Sequence, residues 1–137
     1  MKVAVDANIL FSCLIKGGLT RKIWLSPVLV LYSPAFILQE LEKYRPLLLK
    51  KYGGPEEEFI ILMDKLLRVV RFVPDSELVA FIPAASTLMA DKKDIFYLAC
   101  ALKEGTVLWS NDKGFKHQKR VPAFTTEEMA RESGHLQ

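Results

Sequence analysis

MKVAVDANIL, residues 1–10, points to the architecture of the whole chain. Val3, Ala4 and Val5 form a short apolar run, flanked by Lys2 and Asp6. Residues 2–6 therefore read as a buried strand, polar only at its start and end. Residues 7–15 are apolar again, with Asn8 near their start, and read as a helix that Gly17-Gly18 stops. A strand that ends in an acid and passes directly into a helix is the opening of an α/β unit.

The same alternation continues outward. A second short helix is expected from about Leu19 to Leu25, broken by Ser26-Pro27, and a second strand over residues 28–32. Ser33-Pro34 reads as an N-cap followed by proline at the first helical position. The helix from Pro34 to about Lys51 carries Leu38, Leu41, Tyr44 and Leu48 as its apolar stripe, with Glu40 bordering it. Gly53-Gly54-Pro55 ends it and opens a helix that runs to about Val69. Glu56, Glu57 and Glu58 suit the positive end of that helix and need no further role. Residues 70–73 read as a third strand and Ser76–Phe81 as a short helix. Pro83 is expected to interrupt, with one more turn over Ser86–Ala90. A helix from near Asp91 carries Ile95, Leu98, Ala99 and Leu102, and Gly105 caps its end. Thr106–Trp109 is the next strand and Val121–Phe124 a last edge strand. Thr125 or Thr126 caps a final helix, and fraying is expected from about Gly134. Strands alternating with helices predict a three-layer α/β/α sandwich with a mostly parallel central sheet, one domain over 1–137.

Composition agrees. The chain has 137 residues, half of them apolar, which suits one domain with a real core. No uncharged apolar stretch reaches about 18 residues, so no membrane span is expected. Asp6 falls where a signal peptide would be apolar, so no secretion is expected either. Cys13 and Cys100 lie in apolar helical patterns and read as buried reduced thiols, consistent with a cytoplasmic protein; a disulfide stays open at this level. The formal charge of +3 is a weak pointer to an anionic partner. Lys113, Lys116, Lys119 and Arg120 cluster just after Asp112. On charge alone that cluster is a solvated loop; beside an active acid it becomes a candidate RNA contact.

Four carboxylates carry the chemistry: Asp6, Glu40, Asp94 and Asp112. In open parallel sheets a ligand site lies beyond the carboxyl ends of the strands. Asp6 and Asp112 follow strands, Asp94 opens a helix, and Glu40 lies about two turns into one. Converging on one crevice, they would repel each other unless a cation shared them. Oxygen donors select Mg²⁺ or Mn²⁺ over zinc, and His117 and His135 lie too far apart in sequence for zinc spacing. Magnesium sites favour phosphate chemistry, with water as the expected nucleophile because no Ser-His-Asp arrangement is indicated. The bland readings are that Asp6, Asp91 and Asp94 only cap helices, that Asp112 is a turn residue and that Glu40 pairs with Lys43. Trp24, Trp109 and the phenylalanines read as core.

VDANIL near the start, LQELEKY at 38–44, ADKKDIFYLACAL at 90–102 and WSNDKGF at 109–115 together resemble the PIN domain, the nuclease fold of VapC-type toxins and related RNA-processing proteins. The resemblance covers almost the whole chain. It implies a metal-dependent ribonuclease that hydrolyses single-stranded RNA with Mg²⁺ or Mn²⁺, and a homodimer. Toxin and housekeeping members share the same acids, so a toxin role with an antitoxin partner is one of the two roles it implies. It implies that Asp6 is the central ligand, that Glu40, Asp94 and Asp112 complete the acidic set, directly or through water, that Asn8 is a small polar residue near the metal and that Ser110 orients the site. Asp91, one turn before Asp94, is an alternative or supporting ligand. A haloacid-dehalogenase-type phosphatase would need an acid where Asn8 stands, and a receiver domain needs an acidic pair and a phosphoacceptor that cannot be placed. The remaining alternative is a PIN-like module that binds RNA or protein without turnover.

Overall fold

The structure, a computed structural model, describes residues 1–135. Five parallel strands form one sheet: β1 (Lys2–Val5), β2 (Val30–Pro34), β3 (Val70–Val73), β4 (Val107–Trp109) and β5 (Ala123–Phe124), in the order β3-β2-β1-β4-β5. Every pairing is parallel. Parallel neighbours need long crossovers, and the chain supplies helices for them. These are α1 (Ala7–Ile15), α2 (Gly18–Trp24), α3 (Phe36–Tyr52), α4 (Glu56–Arg68), α5 (Asp75–Leu78), α6 (Ile82–Ser86), α7 (Lys92–Glu104) and α8 (Thr126–Glu132). On one face α1 packs against α2, α3 and α4, and α2 meets α8; on the other, α7 lies across β1, β2 and β4 beside α5 and α6. The expected three-layer α/β/α arrangement is present.

Burial follows the two-faced sheet. Val3, Ala4 and Val5 are fully buried because helices cover both faces of the central strand. Trp24 and Trp109 sit in the core 6.2 Å apart. Their indole nitrogens are satisfied by the Leu66 carbonyl at 2.8 Å and the Thr126 hydroxyl at 3.1 Å. Cys13 and Cys100 are buried free thiols, as read from the sequence. Gly53 and Gly105 end α3 and α7 in the left-handed region, at φ +74° and +65°, where a Cβ would be strained. Thr125 caps α8 in a reciprocal capping box with Glu128.

Three local expectations are corrected. Ser33-Pro34 is not a helix start: both residues belong to β2, paired with Phe72 and Val73, and α3 begins at Phe36. The pairing of β2 with β3 extends the strand, and Pro34 is tolerated at its last position, where no ladder donor is needed. Leu38 is not on the buried stripe of α3; it is 40% exposed, and the buried face runs through Ile37, Glu40, Leu41 and Leu48. Starting the helix two residues later does not change its period, but the buried face includes an acid, and a stripe of apolar residues alone passes beside it. Pro83 does not interrupt a helix. It lies in the first turn of α6, where its missing N–H costs nothing, and α6 ends at Ser86. Part of the stretch expected to fray from about Gly134, residues 136–137, lies outside the described residues. Among the described residues no helix is long and apolar enough to cross a membrane.

Candidate active site

The strand order places the site. β1 sits at the centre; the chain leaves it towards β2 and β3 on one side and returns to β4 and β5 on the other. Between β1 and β4 the direction of winding reverses, and a crevice opens beyond the carboxyl ends of such strands. Asp6 follows β1, and Ser110 and Asp112 follow β4, so both sides of the reversal deliver polar groups to that edge. α7 ends its run at β4, which is parallel to β1, so its N-terminus, with Asp91 and Asp94, returns to the same edge. α3 contributes Glu40. A crevice of about 670 Å³ is lined by Asp6, Asn8, Glu40, Asp91, Asp94 and Asp112, with Tyr97 and Lys93.

Several of the acids are held by backbone amides. Asp6 caps α1, accepting from the Ile9 amide at 3.1 Å. Its other oxygen accepts from the Ser110 hydroxyl, and Ser110 Oγ in turn accepts from the Asp112 amide at 3.0 Å. One buried serine thus ties the acid after β1 to the acid after β4. Asp91 caps α7, accepting from the amides of Lys93 at 2.9 Å and Asp94 at 3.3 Å. Asp112 accepts from the Gly114 amide at 2.9 Å at the head of a 3-10 turn. The capping and turn readings of Asp6, Asp91 and Asp112 are therefore correct as local structure. They do not compete with a role in the crevice, because capping is what fixes these side chains there. For Asp94 the cap reading is wrong: Asp91 is the cap.

The electrostatics are those of crowded negative charge. Asp6 is 5% exposed. Burial pushes its carboxyl up to about 6; the Ser110 and Ile9 hydrogen bonds oppose this and the Asp112 charge adds to it. Asp94 also rises to about 6, by burial first and then by the charges of Asp91, Asp112 and Asp6. Glu40 is different. It is 6% exposed, and Lys93 Nζ stands 3.3 Å from its Oε2, so the bland reading of a solvated pair with Lys43 gives way to a pair across two helices. Tyr97 is 3% exposed, and its hydroxyl lacks a hydrogen-bond partner among the described residues. Burial and the charges of Glu40, Asp6 and Asp94 push its phenol far up, so it stays a neutral donor.

These features bear on a hard cation. The donors are carboxylate oxygens, the carboxyls of Asp6 and Asp94 are raised by burial first and by neighbouring acids second, and a buried hydroxyl beside them is left unsatisfied. A cation with its waters would relieve both conditions. Among the described residues, however, no three His, Cys, Asp or Glu side chains stand close enough to form a closed ligand set. The donor chemistry fits Mg²⁺ or Mn²⁺, and the crevice is open enough to leave the cation several waters.

The profile of one family, the PIN domain, matches residues 4–133. The chain belongs to the PIN domain family. No curated protein matches the sequence. Among solved structures, a chain of the crystal structure of VapBC2 from Rickettsia felis, bound to a DNA fragment from their promoter, superposes with a TM-score of 0.68 at 16% identity, covering 91% of this chain and 98% of that one. At that identity the likeness is one of fold.

Within this PIN domain, the four expected acids and Asn8 share one crevice, and Ser110 links two of the acids. The basic cluster is less uniform. Lys116 is held by Glu128 at 2.6 Å and by the Ala123 carbonyl at 2.9 Å, and Lys119 donates to the Lys116 carbonyl at 3.3 Å. Lys113 and Arg120 are exposed. None of the four lines the crevice. Sequence reasoning missed the cations that do: Lys93, Lys16 and Lys51. It also missed Tyr97 and Tyr44. Lys93 and Tyr97 lie inside the same ADKKDIFYLACAL motif as Asp94, one residue before it and three after. A helix-face projection from Asp94 would have found Tyr97.

Proposed function

We propose that this PIN domain is a metal-dependent ribonuclease that hydrolyses phosphodiester bonds in single-stranded RNA. The observation that supports this best is that Asp6, Asp94 and Asp112 line one crevice at the reversal point of the sheet, with Ser110 hydrogen-bonded to the first and the last. Three acids from three separate elements form an oxygen-lined crevice with excess negative charge. Family membership supports nuclease chemistry at that place.

In this reading Asp6, Asp94 and Asp112 hold Mg²⁺ or Mn²⁺, and Glu40 joins them directly or through water. When bound, the cation offsets phosphate charge and lowers the pKa of water. Ser110 keeps Asp6 and Asp112 in register, Asp91 fixes the first turn of α7, and Asn8 borders the cation. Tyr97 supplies a neutral hydroxyl donor from the crevice wall. Lys113 and Arg120, with Lys116 and Lys119 behind them, draw RNA towards the acids. The whole chain acts as one domain. The likeness to a chain of the VapBC2 structure supports an antitoxin partner and a toxin role; a cytoplasmic address and a homodimer complete the reading.

One observation favours a second reading. Glu40 already has a cation, Lys93, and this would suit a PIN-like module that binds RNA or protein without turnover. Cleavage of end-labelled single-stranded RNA separates the two. The ribonuclease reading expects cleavage with Mg²⁺ or Mn²⁺, none with chelator, and none from Asp6→Asn or Asp112→Asn. Cleavage that persists equally in chelator or in both variants would refute it.

A further inference from the structure

The crevice is polarised. Its acids gather at the sheet edge, but it continues between α1 and α3, and that end is basic. Both helices follow parallel strands, so both start at the acid edge and run back from it side by side. Lys16, at the end of α1, comes ten residues after Asp6, and Lys51, in the last turn of α3, eleven after Glu40. At about 1.5 Å per residue both lysines stand about 15 Å from the acids along the groove. Both are exposed, both line the crevice, and neither pairs with a carboxylate among the described residues. Lys93, the third cation of the crevice, is committed to Glu40.

Between the two ends lies an aromatic floor. Phe11 of α1 and Tyr44 of α3 meet edge to face, with ring centroids 5.6 Å apart, and both are half-buried and line the crevice. They stand four to five residues past Asp6 and Glu40, about 6–8 Å from the acids. Ile15 and Leu47 continue the apolar wall to the lysines. A chain of alternating phosphates and flat bases matches this sequence of acid edge, aromatic floor and basic end. Aromatic side chains stack bases whatever their identity, and lysines track the backbone.

We infer that the groove between α1 and α3 is the track for the single strand on one side of the scissile phosphate. A base rests on Tyr44 and Phe11, and a phosphate further along is held between Lys16 and Lys51. The inference rests on the ribonuclease reading for the position of the scissile bond, but not for the binding itself. The track is short. At about 3.4 Å per stacked nucleotide, roughly 15 Å accommodates about four nucleotides.

The test is binding of 5′-fluorescein oligouridylates of two to eight nucleotides, followed by anisotropy in chelator so that no cleavage occurs. For the wild-type protein, affinity rises with length and flattens by about five nucleotides. The Lys16→Ala/Lys51→Ala double variant, altered only at exposed side chains, binds the eight-mer more weakly. The slope of log K against log salt falls by about 0.7, the amount for the one phosphate that is no longer neutralised. Tyr44→Ala weakens binding about ten-fold with the salt slope unchanged, as for loss of a stacked base, and Tyr44→Phe restores it. An unchanged slope in the lysine variant, affinity indifferent to length, or no binding by the wild type would each overturn the track. Binding with this pattern but no cleavage when Mg²⁺ is added would refute the ribonuclease reading and leave the track standing.

Discussion

Replacing Asp6 with asparagine is expected to stabilise the metal-free protein while abolishing its activity. The Asp6 carboxyl is raised from 3.8 to about 6, chiefly by burial. Between those two values the folded chain binds more protons at Asp6 than the unfolded chain does. Its contribution to stability is therefore greatest below pH 3.8 and is lost as the pH climbs through about 6. At about 1.36 kcal/mol per pH unit, the ionised carboxylate costs the fold about 3 kcal/mol at pH 7. Asparagine removes the charge at nearly the same volume, and its oxygen still caps α1 through the Ile9 amide. Asp6→Asn should then gain up to about 3 kcal/mol at pH 7 in chelator, a rise of roughly 10 °C in Tm for a domain of this size. Urea unfolding followed by far-ultraviolet circular dichroism from about pH 3.5 to 7.5, which spans both values, measures this directly. The wild type should lose stability across that window, and the variant should lose less, retaining only the slope due to Asp94. Adding Mn²⁺ at ten times its Kd should return about 1.4 kcal/mol to the wild type and little to the variant. If Asp6→Asn is the less stable protein at pH 7 in chelator, or if the two pH profiles run parallel, the account of a destabilised site fails.

Ser110→Ala should cost about 1–3 kcal/mol, because it removes a buried hydroxyl that donates to Asp6 and accepts from Asp112. It should also push the Asp6 carboxyl above about 6, seen as an upward move of the pH midpoint of stability. Lys93→Ala frees Glu40 of its paired cation and should tighten Mn²⁺ binding by calorimetry; weaker binding would refute the competition. Trp24→Phe leaves the Leu66 carbonyl without its 2.8 Å donor and should cost about 1–3 kcal/mol in urea unfolding, with cleavage per folded molecule unchanged. Burial pushes the thiols of Cys13 and Cys100 up to about 12. Iodoacetamide at pH 8 should modify neither in the folded protein and both in urea.

Much of this could be read from the chain. The run Val3–Val5 ending at Asp6 marks a buried strand and the residue that leaves it, because a strand covered on both faces must be apolar throughout. Gly53 and Gly105 mark helix ends, because their positive φ suits no other residue as well. Where the reading failed, a long-range pairing or a burial choice overrode a local signal. Ser33-Pro34 carries the chemistry of a helix cap, yet β3 captures it as strand. Glu40 looks like a bordering residue, yet it lies on the buried face, compensated by Lys93 from a helix 53 positions away. The lysines after Asp112 look like the RNA contact, while Lys16 and Lys51, which line the crevice, come from the ends of α1 and α3.

The alternation of strands and helices, the acids at their junctions and the family they point to are written locally in the chain, because apolar period and turn chemistry act over a few residues. Which acids share the crevice, which cation sits among them and which groove leads away are set by long-range packing. Those follow from the order β3-β2-β1-β4-β5 and from helix packing. A bond such as that between Ser110 and Asp6, made across 104 positions, leaves no mark in local sequence.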